Sequence, residues 1–252
     1  KKQIKMKKPA EIYFFGTCLI DLLYPKAGLA GMQLIRQAGV RVIYPQDQTC
    51  CGQPAFNSGY RDEALSVARQ LMSCFPRNIP VVVPSGSCGG MLKQHWPELF
   101  EGQPDEEQAR AIADRTMELT EFLVDVLALK LTDLGEPTTI AIHTSCSARR
   151  EMQVADRIES LVAQLVNVKV LQQDRKAECC GFGGTFSVKQ SDISGAMVTD
   201  KTNAIRKTGA QQVISQDCGC LMNISGAFEK QGNPPDAKHI AEFLWERTHE
   251  SN

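Results

Sequence analysis

The sequence predicts an α/β protein of two pseudo-repeated lobes, each a small, mostly parallel sheet flanked by helices. Three observations predict it. Short β-rich runs alternate with apolar-periodic stretches along the chain, and strands separated by helices need crossover connections that leave them parallel. A cysteine pattern is written once in each half of the 252 residues. No apolar run approaches the ~20 residues of a membrane span, so the apolar segments are there to build cores.

In the first half, a strand at about 11–17 leads to an apolar-periodic stretch at 27–38. The run Val40-Arg-Val-Ile-Tyr44 follows, then a helix at 59–74 with Leu65, Ala68, Leu71 and Met72 on one face, then the run from Ile79 to Val83. The polar stretch Glu101 to Glu107 is a surface loop, and a long helix is predicted over 106–130. The turn Asp133-Leu-Gly-Glu-Pro137 separates the halves, giving domains 1–133 and 134–252. The second half repeats the order with a strand at 138–143, a helix at 151–166, Val168 to Leu171, a helix at 190–207 and a strand at 211–215. The basic start, Lys1 to Ala10, runs into the first core strand and is not read as an export signal.

Charge is balanced, 28 Lys+Arg against 29 Asp+Glu for a net charge of −1. That removes the main electrostatic reason to expect nucleic acid or an anionic membrane as partner. The informative count is ten cysteines. In a cytoplasmic chain thiols stay reduced, and clustered cysteines then point to metal or redox chemistry before disulfides. The four histidines, His95, His143, His239 and His249, are too scattered to be the main ligands.

The repeat is explicit. Cys18 is followed after 31 residues by Cys50-Cys51-Gly52, and Cys146 after 32 residues by Cys179-Cys180-Gly181. Val81-Val-Val-Pro-Ser-Gly-Ser-Cys88 lines up with Val213-Ile-Ser-Gln-Asp-Cys-Gly-Cys220, and Glu-Phe-Leu recurs at 121–123 and 242–244. Each cysteine follows a predicted strand, and open α/β sheets form ligand sites outside the carboxyl ends of their strands. Four thiolates suit an iron–sulfur cluster or zinc. Adjacent residues, with Cα atoms about 3.8 Å apart, chelate one tetrahedral ion awkwardly but can serve neighbouring irons of a cluster. Gly52 and Gly181 permit close backbone approach and unusual dihedrals beside it.

These motifs resemble the cysteine-rich CCG domains of heterodisulfide reductases and of the iron–sulfur subunits of glycolate oxidase and anaerobic glycerol-3-phosphate dehydrogenase. His143-Thr-Ser-Cys146, Cys180-Gly-Phe-Gly-Gly-Thr-Phe-Ser-Val-Lys189 and Cys220-Leu-Met-Asn-Ile-Ser-Gly226 are most similar to the lactate-utilisation protein A family. The resemblance covers about residues 10 to 247. It implies an iron–sulfur cluster of [4Fe-4S] type, one or two per chain. The implied ligands are Cys18, Cys50, Cys51 and Cys88, and Cys146, Cys179, Cys180 and Cys220, with Cys218 a further candidate metal ligand. It also implies cytoplasmic electron transfer in oxidation of L-lactate, or a glycolate-type 2-hydroxy acid, to the 2-oxo acid. The implied partners are a ferredoxin-like iron–sulfur protein and other subunits of that complex. Members with a closing C-x-x-C have a cysteine where this chain has Ser85, which predicts a fuller second site and a weaker or vacant first.

Several residues are given plainer roles. Cys74 is expected as a buried core thiol and His143 as a core or ligand-orienting histidine. His95, His239 and His249 are expected as ordinary helix or surface residues, and Arg149-Arg150 as the start of a solvated helix face. Gly181-Phe-Gly-Gly184 lacks the spacings of a nucleotide loop. A disulfide reductase and a zinc-binding scaffold stand as alternatives. No catalytic residue, flavin site or nicotinamide site is visible.

Overall fold

The structure is a computed structural model that describes residues 7–232 and 234–249; the first six residues of the basic start lie outside them. Two compact units divide the chain, Lys1–Lys130 and Leu131–Asn252.

The first unit carries β1 (Glu11–Phe14), β2 (Arg41–Ile43), β3 (Val81–Val83) and β4 (Thr116–Glu118), in the order β2-β1-β3-β4. The second carries β5 (Thr138–His143), β6 (Val168–Val170), β7 (Gln212–Ser215) and β8 (Asp236–His239), in the order β6-β5-β7-β8. Every pairing is parallel. Identical strand order in the two units is the duplication made visible. The central strands are apolar along their length because helices cover both faces: Val81, Val82 and Val83 are all fully buried, as are Val213 and Ile214.

The predicted helix over 106–130 is broken. Residues Glu106–Asp114 are helical, then the chain forms edge strand β4, a short turn of helix at Leu119–Glu121 and a π-helical turn at Phe122–Val126. Arg115 explains the break. Its backbone carbonyl accepts from Val81 N at 3.0 Å, and its guanidinium donates to the carbonyls of Ile79 and of Phe75, the latter at 2.7 Å. Tertiary hydrogen bonds therefore override a locally helical pattern. The capping box of Glu118 with Glu121 then restarts the helix. The predicted helix at 151–166 is shorter, Ala155–Val162, and is preceded by a separate helix, Cys146–Arg150, the two parted where Gln153 takes a φ of 57°.

Candidate metal centre

In each unit the sulfurs arrive from three strand ends. Beyond β1 the chain turns at Thr17, a β-branched residue at φ 58°, and Cys18 opens the helix Cys18–Leu23. Gln48 draws the next segment against this turn. Its Oε1 accepts from Gly16 N at 3.0 Å, and its Nε2 donates to Phe14 O at 3.1 Å and Pro45 O at 2.8 Å. Cys50 and Cys51 follow directly, and the buried Trp96 indole donates to Cys51 O at 3.2 Å. Beyond β3, Ser85 caps the helix Gly86–Gly90, its hydroxyl accepting from Cys88 N at 3.4 Å. The Sγ atoms of Cys51 and Cys88 end 3.5 Å apart.

The second unit reaches the same arrangement with different side chains. Ser145 caps the helix opened by Cys146, accepting from Ala148 N at 3.1 Å. Gln173 Nε2 donates to Ile142 O at 2.7 Å, as Gln48 does to β1, and Asn223 Nδ2 donates to Cys180 O at 2.8 Å in place of Trp96. Beyond β7, Asp217 caps the helix Cys218–Gln231, accepting from Gly219 N at 3.2 Å. Cys220 is the third residue of its helix, as Cys88 is of its own.

Each unit thus runs its four sulfurs as one chain of contacts: Cys18 to Cys50 to Cys51 to Cys88, and Cys146 to Cys179 to Cys180 to Cys220. Within each set the hydrogen bonds favour the thiolate at one sulfur. Hydrogen bonds from Cys18 and Cys51, helped by the backbone N–H of Gly52, hold the Cys50 thiol down at about 3. Hydrogen bonds from Cys146 and Cys180, with the Gly181 N–H donated to Sγ at 3.3 Å, hold Cys179 at about 2. The donating thiols Cys18, Cys51, Cys146 and Cys180 are pushed up by those same hydrogen bonds. Contact with Cys180 favours the Cys220 thiolate, but burial and Asp217 outweigh this and raise it.

The two glycines after the vicinal pairs are sterically required. Gly52 and Gly181 adopt φ 90° and 84°, and a Cβ on Gly181 would stand 2.7 Å from Ser194 O. A cleft of about 320 Å³ opens beside Cys18 and Cys50, lined also by Asp21, Tyr44 and Gln46.

Other expectations fall differently. Ser85 matches Asp217 in the second unit, and both are helix caps. Cys218 occupies the position of Gly86, buried at the first turn of its helix. Cys74 is only half-buried at the end of the helix Arg61–Ser73, with Sγ 3.4 Å from Asp47 O. His239 is fully buried, contrary to a surface role, and caps the last helix by accepting from Ala241 N at 3.1 Å. His95 packs on Phe56 and His249 stacks on Trp245.

Around the second set lie buried polar atoms without partners. His143 is fully buried with neither ring nitrogen hydrogen-bonded. Burial foremost, then Lys201 and Arg149, hold it neutral with a pKa of about 3. One of its nitrogens and the Sγ atoms of Cys180 and Cys220 all lie within 4.8 Å of one another. Arg149, expected on a solvated face, has Nε and Nη2 buried and unpaired. Buried polar groups without partners are rare. Unpaired donors beside crowded sulfurs fit a sulfur-rich inorganic group, whose sulfides accept hydrogen bonds.

The profile of the family described as a cysteine-rich domain (CCG) matches residues 12–93 and 140–225. Among curated relatives, lactate utilization protein A of Geobacillus sp. (strain WCH70) is 43% identical over 93% of this chain and 98% of its own length. The proteins of that name from Bacillus pumilus (strain SAFR-032) and Geobacillus kaustophilus (strain HTA426) are 41% and 44% identical over the same shares. The chain belongs to the lactate utilization protein A family of CCG-domain proteins. Both CCG segments span the strand ends and all eight clustered cysteines. A crystal structure of a hypothetical protein from Helicobacter pylori shares the fold, with a TM-score of 0.64 at 10% identity. The match covers 98% of this chain, which spans about half, 51%, of that protein. Among the described residues no helix is long and apolar enough to cross a membrane.

Proposed function

We propose that this chain is a cytoplasmic iron–sulfur electron carrier in a system that oxidises L-lactate, or a related 2-hydroxy acid, to the 2-oxo acid. The observation that carries the reading is the doubled four-sulfur chain. In each unit a vicinal pair sits between two further sulfurs, the arrangement that serves several irons better than one tetrahedral ion. Cys18, Cys50, Cys51 and Cys88 would hold one [4Fe-4S]-type cluster, and Cys146, Cys179, Cys180 and Cys220 a second. Such a group supplies one-electron storage when bound. The chain's own residues hold its thiolates in register and exclude water around Cys51 and Cys180, and the backbone N–H groups of Gly52 and Gly181 stabilise negative sulfur. The shared name of the relatives supports a lactate system with further subunits, and a ferredoxin-like iron–sulfur protein is the partner proposed for this chain.

Anaerobic purification with iron, sulfide and EPR analysis tests the reading. About four irons per intact set, and so about eight per chain, are expected, with the chain total halved when Cys51 and Cys88, or Cys180 and Cys220, become Ser. Stoichiometric zinc with no sulfide would sink it. The cleft beside Cys18 and Cys50 favours a second reading, a thiol–disulfide reductase, which requires the isolated chain to reduce a disulfide with an artificial electron donor.

A further inference from the structure

The duplication lets each residue around one sulfur set be compared with its counterpart around the other. Alignment of Cys18 with Cys146 pairs Phe15 with His143 and Asp21 with Arg149. The two glycines provide a second anchor, because Gly52 packs on Ala64 O and Gly181 on Ser194 O. From that anchor Leu71 pairs with Lys201.

The three pairs differ in one sense. Phe15 and Leu71 are fully buried and apolar. Asp21 is exposed and accepts from Tyr44 Oη at 2.8 Å. In the second unit, Lys201 is 1% exposed and donates to Arg175 O at 2.9 Å. Arg149 presents Nε and Nη2 together, buried and without partners, and acts electrostatically on Cys146 and Cys220. Those two nitrogens form the edge of a guanidinium that grips an anion with parallel hydrogen bonds. His143 adds unpaired nitrogens beside Cys180 and Cys220. Buried charges act at low effective dielectric, whereas the exposed Asp21 is screened. The second unit also adds Asp217 where the first has Ser85, and this carboxylate opposes negative charge on Cys220. The two cations Arg149 and Lys201 stand against it, so the asymmetry is set mainly by what the second unit adds.

Resting on the iron–sulfur reading above, we propose that the two sites are electrostatically unequal by construction. Arg149, Lys201 and His143 stabilise added negative charge on the second set, so its cluster is reduced at the higher potential. The first, walled by Phe15 and Leu71 and faced by Asp21, is reduced at the lower. Arg149 acts as a positioning residue in this role, since net charge and hydrogen bonds to sulfur are what tune such potentials.

The test is a dithionite redox titration of the full-length, anaerobically loaded chain, followed by EPR. Two reduction waves are expected. Cys180→Ser with Cys220→Ser should remove the upper wave, and Cys51→Ser with Cys88→Ser the lower. Arg149→Gln should move only the upper wave downward at unchanged iron per chain, and Arg149→Lys should restore most of the shift. Lys201→Met gives an independent downward shift should Arg149→Gln fail to fold. Equal midpoints, the reverse order, or a loaded Arg149→Gln protein with an unmoved upper wave would overturn the inference alone. Protein that binds no iron would overturn the parent reading and this one with it.

Discussion

Gly181 has no space for even a methyl group: its φ of 84° is left-handed, and Ser194 O and Met197 Cβ stand 2.7 and 3.0 Å from where a Cβ would be. At Gly52 the nearest atom, Ala64 O, is 3.2 Å away. Gly181→Ala should therefore lower stability by about 1–3 kcal/mol and reduce iron loading, with Gly52→Ala milder on both counts; thermal unfolding and iron content would measure it. Glu118 gives a pH prediction. Burial of this fully enclosed carboxyl raises its pKa from 4.5 to about 8. Between those values the folded state keeps a proton that the unfolded chain releases, so stability falls as pH rises from 4.5 to about 8 and then levels. The fall should be on the order of a few kcal/mol, seen as a lower urea midpoint at pH 8.5 than at pH 5. Glu118→Gln, neutral throughout, should flatten that slope. The cysteines of both sets stand out in the sequence because spacing and doubling survive without coordinates. Arg149 does not, because two consecutive arginines read as solvated until the fold shows what covers one of them.

At the scale of elements, caps decide how the last cysteine of each set is presented. Ser85 and Asp217 each bond the N–H of a residue in the first turn that carries Cys88 or Cys220. Ser85→Ala and Asp217→Ala should each cost about 1 kcal/mol in chemical unfolding, with the iron-loading defect confined to the affected unit. Cys218→Ser, one residue past the cap, should leave loading intact, and a loss of iron from that variant would restore Cys218 as a ligand. Central strands and the helices Pro25–Gln37, Arg61–Ser73 and Ser191–Arg206 were legible from apolar periodicity, whereas the helix Cys218–Gln231 was not. Two of the four edge strands were not legible either: β4 and β8 are three and four residues long and mostly polar, so their pairing comes from the sheet they join rather than from their own pattern. The short helices opened by Cys18 and Cys146 were hidden for a related reason, being only six and five residues long.

For the whole molecule, the two tryptophans provide one reporter per unit, Trp96 in the first and Trp245 in the second. Trp96 is fully buried and bonded to Cys51 O, so its emission should be quenched when the first set is loaded and recover when Cys51→Ser with Cys88→Ser empties it. Emptying the second set instead should leave it quenched, as a Trp245→Phe protein would read out. The second unit also fastens its own beginning to its end. Arg247, 8% exposed, reaches Asp133 at 2.6 Å and the carbonyls of Gly135 and Glu136, and Leu134 N donates to Arg247 O at 2.7 Å. A segment whose entry and exit are latched together is a closed loop of chain. It can be copied in tandem or circularly permuted at a new opening without unthreading its sheet, a topology well suited to a gene that carries the same fold two times.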